Sequence, residues 1–225
     1  MKKTLIAFMA LVGVAAAQVT IDLTPTSIFA SVDSDGFSPT NVEEDLKPNS
    51  WVGTWENTSL ENQVSAGADG LSLQIGAAAS TVGNYAAVKF EAETPLTLSF
   101  DIKRTNFRGQ DIASFTCEYT CTVYGFESDG SSSEIGTWSD NIVGSSMSTT
   151  YEYSPVITLE EGDYASYGII FRSMETSTLD SDAGVAMNIS NIKVTAENLV
   201  PEPTTATLSL LALAGLAARR RRASR

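Results

Sequence analysis

Apolar and polar side chains alternate in short runs along the chain. Leu96, Leu98, Phe100 and Ile102 fall in one phase, and Thr97, Ser99, Asp101 and Lys103 in the other. The same period of two runs through Leu71, Leu73 and Ile75 and through Ala86, Val88 and Phe90. Such alternation puts one side of an extended strand against a core and the other in water, as in antiparallel sheets. Turn-forming clusters separate the runs: Asp33-Ser34-Asp35-Gly36, Lys47-Pro48-Asn49, Gly67-Ala68-Asp69-Gly70, Asn106 to Gly109, Ser128 to Ser133, Glu160 to Asp163 and Ser181 to Gly184. No window holds a sustained 3.6-residue period, and there is no internal repeat. Many short strands between turns predict an all-β, antiparallel sandwich or barrel, of which the sandwich is the expected fold.

The last run, Val185 to Thr195, changes phase midway. Val185, Met187 and Ile189 share one face, whereas Ile192 and Val194 would fall on the other. One extra residue near Ser190-Asn191 returns both sets to the core, which predicts a β-bulge there. This strand, V-A-M-N-I-S-N-I-K-V-T, resembles the closing strand of jelly-roll domains related to carbohydrate-binding modules. The runs L-T-L-S-F-D-I-K and Y-A-S-Y-G-I-I-F-R-S are similar to strands of the same group.

The two ends follow different rules. Lys2 and Lys3 precede the apolar stretch Leu5 to Val14, and Ala15-Ala16-Ala17 has the small-residue pattern of a signal-peptidase site. Residues 1–17 are therefore expected to be a signal peptide, cut between Ala17 and Gln18. At the other end, Pro201-Glu202-Pro203 forms a stiff handle. A Leu/Ala-rich stretch to Ala218 follows, and then Arg219, Arg220, Arg221 and Arg222. As a helix the stretch is about 22 Å long at 1.5 Å per residue, against a hydrocarbon core of about 30 Å. Cations directly after it are expected to stay on the cytoplasmic side. Handle, apolar segment and arginine cluster together resemble the PEP-CTERM sorting signal of Gram-negative bacteria. That resemblance implies recognition by an exosortase, cleavage near the handle, and delivery to the cell surface, outer envelope or exopolysaccharide. The expected organisation is a signal helix over 1–17, a jelly-roll-like β-sandwich over 18–199, and a sorting signal with a short transmembrane helix over 200–225.

Charge sharpens the picture of the body. The 225-residue chain has 14 Lys and Arg, 27 Asp and Glu, and a net charge of −13. Two lysines and five arginines lie in the terminal segments and one glutamate beside them, leaving 7 cations against 26 acids and a net −19 for residues 18–199. Such a domain repels phosphate backbones, so nucleic acid is excluded as a partner. Sulfated or uronic polymers are disfavoured on the same ground unless calcium bridges the two.

Histidine is absent, which removes Ser-His and Cys-His nucleophile activation and imidazole metal sites. Carboxylate chemistry remains, but no strand carries an E-x-D-x-E pattern like that of laminarinase-like jelly-roll enzymes. Glu43-Glu44-Asp45 and Glu160-Glu161 fall in turn-like contexts. Cys117 and Cys121 share the apolar phase of Phe115 to Val123. Four residues of strand span about 13 Å, too far for a disulfide, so two separate buried thiols are expected. Trp51, Trp55 and Trp138, with Tyr85, Tyr151 and Tyr153, are either core or a stacking platform for sugar rings. Asp33 and Asp35, and Asp180 and Asp182, alternate oxygens beside a glycine as calcium loops do, though neither set completes an EF-hand. They are solvated turns or weak structural calcium sites; no other cofactor is implied.

The combined expectation is a non-catalytic, exported surface or matrix protein, processed by signal peptidase and exosortase and associated with envelope or exopolysaccharide. The alternatives are a carbohydrate-binding module using surface aromatics and a carboxylate-based glycan hydrolase.

Overall fold

The computed structural model describes residues 17–31, 36–55, 63–75, 83–107, 116–143, 150–175 and 184–198. In chain order the elements are β1 (Ala17–Asp22), β2 (Phe29–Ser31), α1 (Pro39–Asp45), β3 (Val52–Trp55), β4 (Gln63–Gly67), β5 (Gly70–Ile75) and β6 (Gly83–Phe90). They continue with β7 (Thr94–Phe107), β8 (Thr116–Phe126), β9 (Ser132–Val143), β10 (Thr150–Tyr153), β11 (Val156–Thr158), β12 (Ser166–Glu175) and β13 (Gly184–Asn198).

Two sheets face each other. The seven-stranded sheet runs β10-β7-β13-β5-β4, with β1 added to β13 and β11 to β7. The six-stranded sheet runs β2-β3-β6-β12-β8-β9. Every pairing is antiparallel except β2 with β3, where Phe29 lies opposite Val52 in a parallel register. The alternating runs lie as their pattern requires. Leu98, Phe100, Ile102, Leu71 and Leu73 bury one phase from the first sheet; Ala86, Val88, Phe90, Ile169 and Phe171 do so from the second. Phe100 meets Phe171 edge-on at 5.2 Å between centroids, joining the two layers.

The expected bulge is present. The register of β13 against β7 shifts between Ser190 and Lys193. Asn191 takes up the extra residue at φ 51°, and Ile189 and Ile192 are both fully buried. The Asn191 amide donates to Asp101 Oδ2 at 2.6 Å, and the Ser154 hydroxyl donates to Asp101 Oδ1 at 2.7 Å. These two bonds lower the Asp101 pKa below its ordinary value.

Two corrections concern helices. The expected flanks, a signal helix and a short C-terminal transmembrane helix, are not part of the described architecture. Among the described residues the one helix is the seven-residue α1, between β2 and β3, and no helix there is long and apolar enough to cross a membrane. The first and last described elements are strands, β1 and β13, paired with each other from Ala17–Asn198 to Asp22–Lys193. The second correction is local: Glu43, Glu44 and Asp45 are helical rather than part of a turn. Ser38 starts α1 with a capping box, its Oγ accepting from the Asn41 N–H while Asn41 Oδ1 accepts from the Ser38 N–H at 2.7 Å. Both groups would otherwise be orphan donors at the helix start, and Pro39 fits the first turn. Val42 is the buried residue of α1, packed on the outer face of the six-stranded sheet with Ala87, Phe126 and Ile170.

Cys117 and Cys121 are fully buried along the uninterrupted strand β8, and neither is in a disulfide. Burial pushes the Cys121 thiol pKa well up. Around Cys117 the interior turns polar. Arg104 occupies the next core position after Ile102 in β7 and is 7% exposed. Asn84 Oδ1, Ser173 Oγ and Arg104 Nε are buried without a hydrogen-bond partner among the described residues. The buried Tyr119 hydroxyl likewise lacks a conventional partner among the described residues, with the Cys117 sulfur, a weak acceptor, beside it.

Candidate functional site

The outer face of the six-stranded sheet is divided in two. Helix α1 covers one half: Val42 sits against Gly168, where a Cβ would lie 2.8 Å from its Cγ1, so glycine is what allows the helix to approach. The other half is open and forms a groove of about 370 Å³. Its floor follows directly from register. Tyr85 of β6 pairs with Arg172 of β12, which pairs with Thr120 of β8. In the next row Ile170 lies beside Thr122. Tyr124 and Phe37 complete the lining. These side chains occupy the phase opposite to Ala86, Val88, Ile169, Phe171 and Cys121, so the core pattern itself turns them outward.

Tyr85 is held by backbone on two sides. A Cβ at Gly36 would lie 2.7 Å from Tyr85 Cζ, and one at Gly83 would lie 3.0 Å from Tyr85 Cε2. Gly36 also has φ +70°, a conformation that L side chains rarely adopt. The Arg172 guanidinium carbon stands 5.7 Å from the centre of the Tyr85 ring, and its Nη2 donates to Met174 Sδ at 2.7 Å. The Tyr124 pKa is raised, first by burial and then by the Glu134 carboxylate, against a hydrogen bond with Thr122. Its phenol is therefore a neutral hydroxyl at ordinary pH.

Half-buried flat rings, threonine hydroxyls and a guanidinium suit a ligand with apolar faces and many hydroxyls. Among the described residues no Asp or Glu lines the groove, so they offer no carboxylate pair there for glycoside cleavage. Among the described residues no group of three or more His, Cys, Asp or Glu is placed to hold a metal ion. A larger groove of about 530 Å³ lies beside the bulge and includes Asp69, Lys103, Asn188 and Asn191, without an aromatic ring. A smaller one, about 240 Å³, contains Phe29 and the edge of Trp51.

The sequence-expected residues are dispersed. Trp51 is core: it is 5% exposed, its Nε1 donates to the Leu23 carbonyl at 2.7 Å, and it stacks on Phe171. Trp138 is half-buried and meets Phe100 edge-on at 5.8 Å. Trp55 ends β3, and its side chain lies outside the described residues. Of the three tryptophans Trp51 alone is corrected, because its buried ring cannot meet a ligand, and among the described residues Tyr85 is the expected aromatic that lines the groove. Tyr151 carries the Arg104 guanidinium 4.0 Å above its ring, and Tyr153 is exposed on the edge strand β10. Asp33, Asp35, Asp180, Asp182, Ala15, Pro201, Glu202, Pro203 and Arg219 to Arg222 lie outside the described residues. Gln18 is exposed in β1, opposite Glu197. Tyr124, Arg172, Thr120 and Thr122 are the groove residues that sequence reasoning passed over. Their signal was weak: an aromatic or cation in the wet phase of a core strand.

No protein-family model matches this chain, and none of the curated proteins does. Among solved structures the fold is distantly similar to carbohydrate-binding modules. One, described by its specific recognition of mannan, is 14% identical with a TM-score of 0.42 and covers 81% of this chain and 100% of its own. The N-terminal cellulose-binding domain of a β-1,4-glucanase from Cellulomonas fimi is 12% identical with a TM-score of 0.37, over 69% of this chain and 93% of that one. A family 11 carbohydrate-binding module of a Clostridium thermocellum cellulase is 13% identical with a TM-score of 0.34, over 82% and 97%. The likeness is one of β-sandwich, jelly-roll arrangement and extends no further.

Proposed function

We propose that the domain is a non-catalytic carbohydrate-binding module whose contact surface is the open half of the six-stranded sheet. The observation that carries this reading is the groove of Tyr85, Tyr124 and Arg172, with threonine hydroxyls on its floor and no carboxylate among the described residues of its lining. Sugar rings present C–H faces to tyrosine and hydroxyls to threonine and arginine.

The test is isothermal titration of the purified full chain against a panel of soluble glycans, host exopolysaccharide included, with Tyr85→Ala and Tyr124→Ala alongside. Each substitution should weaken binding about tenfold or more, equivalent to about 1.4 kcal/mol. Binding unchanged in both variants would place the contact elsewhere. Glycan turnover abolished by a single Asp→Asn or Glu→Gln change would make the chain an enzyme and end this reading.

Destination is a second proposal, motivated by sequence alone. Pro201-Glu202-Pro203 and Arg219 to Arg222, set apart by a Leu/Ala-rich segment, support processing by an exosortase after signal-peptide removal, with delivery to the envelope or exopolysaccharide. Intact mass of the surface-located protein tests it. Mass corresponding to loss of residues beyond the handle is expected, and retained Arg219 to Arg225 rejects it.

A further inference from the structure

Resting on the glycan reading of the groove, we infer that its ligand is an acidic sugar, a uronate residue whose carboxylate pairs with Arg172. Arg172 is the one cation lining this groove among the described residues. Among the described residues the ion pairs are Lys103–Glu152 and Arg104–Asp140, and Lys89 Nζ donates to the Glu43 carbonyl at 2.6 Å. Arg172 has no carboxylate partner there, although 26 acids crowd the body. Its Nη2 is spent on a thioether, a weak acceptor. Its Nε is shielded from solvent and has no acceptor among the described residues. A guanidinium steadied by the Tyr85 ring, with donors to spare, is a built receptor for a planar anion.

The net charge of the body argues for the opposite preference, and distance decides between them. Repulsion from scattered surface carboxylates is screened over about 8 Å at physiological ionic strength. A contact pair in a half-buried groove is screened far less. The acids nearest the groove by register are Glu118, opposite Met174, and Glu134, opposite Tyr124. Neither lines it. Among the described residues the one charged side chain in the lining is that of Arg172. Polyanions in general are kept off, whereas a carboxylate on a ring that also satisfies Tyr85, Tyr124 and the two threonines is admitted. Sequence totals hide this, because they add Arg172 to charges far from it.

The test compares oligogalacturonate and oligomannuronate with their methyl esters on the full chain, by titration calorimetry. Esterification removes the charge and keeps the ring. At least one free acid should bind about tenfold or more tighter than its ester, and Arg172→Gln should abolish that difference, while Arg172→Lys keeps part of it. A melting curve for each variant shows that it is folded. The ester comparison on unmodified protein stands even if Arg172→Gln does not fold. Acid and ester binding equally, or neutral oligosaccharides binding while neither acid does, overturns the uronate assignment and leaves the glycan reading intact. A sulfated neutral oligosaccharide binding as tightly as the acid shows an unselective anion site and also overturns it. Failure of every glycan, acidic or neutral, removes both.

Discussion

Arg104 Nη1 lies 3.7 Å from Asp140 Oδ2, a contact that ties β7 of one sheet to β9 of the other. The arginine is buried and the aspartate side chain about one-third exposed, at 8% and 32%. Taking the guanidinium out of water is costly, and the ion pair with the Tyr151 ring beneath it offsets part of that cost. Removing the aspartate alone should hurt more than removing the arginine. Asp140→Ala is expected to cost about 1–3 kcal/mol, below the range for fully buried pairs because Asp140 is partly solvated. Arg104→Met should cost less, since it also removes a buried nitrogen without a partner. Urea unfolding of both single variants and the double variant checks the order; equal losses would mean that the pair itself contributes the stability.

Alkaline pH should unfold the domain. Burial raises the pKa of Cys121 well above 9.0. It does the same to Tyr119 above 10.0, with the neighbouring Cys117 adding to the effect. Raised values mean that the folded state holds these protons more tightly than the unfolded chain. Their contribution is fully present below the unfolded values and is lost as pH rises toward the folded ones. Stability should therefore fall from about pH 9 upward, by up to about 1.4 kcal/mol per pH unit for each group. Denaturation midpoints from pH 7 to 11 measure it, and Tyr119→Phe should flatten the slope above pH 10.

The two thiols should resist alkylation in native buffer and react fully in denaturant without any reductant. Cys121→Ala should cost about 1–2 kcal/mol, less than deletion of a larger aliphatic side chain. Labelling that needs reductant even in denaturant would contradict the arrangement along β8.

Asn191 separates two contributions to the bulge. Asn191→Ala loses the hydrogen bond to Asp101 and leaves a Cβ at positive φ, with an expected loss of about 1–2 kcal/mol. Asn191→Gly loses the same bond but relieves the backbone, so it should be the milder change. In both variants the Asp101 carboxyl should titrate at higher pH than in the parent, because one of its two donors is gone. An unmoved Asp101 titration would show that Ser154 alone sets it.

Much of the sandwich was legible because alternation is a direct record of burial. Leu98, Phe100 and Ile102 announced β7, and the phase change between Ile189 and Ile192 announced the bulge. Arg104 was not legible as core: it continues the apolar phase of β7, but a cation there reads as the end of a strand. Helix α1 escaped because seven residues hold too few turns for a period, and Val42 is its one buried residue. Its Ser38-x-x-Asn41 box was the available sign. The groove escaped for a related reason. Sequence favours tryptophan as a platform, but Trp51 has the inward phase of β3, while Tyr85 and Tyr124 stand in outward phases that periodicity assigns to solvent. Only the register that aligns β6, β12 and β8 brings Tyr85, Arg172 and Thr120 into one row.

The position of β13 has a consequence for how the chain comes into being. This strand pairs with β1, β5 and β7 at once, yet it is the last of the described strands to be synthesised. Until Gly184–Asn198 exists, the middle of the seven-stranded sheet is missing and β1 and β7 have no common neighbour. A nascent chain is thus barred from closing its core early. Most of its contacts join residues distant in sequence, so closure, once possible, should be slow.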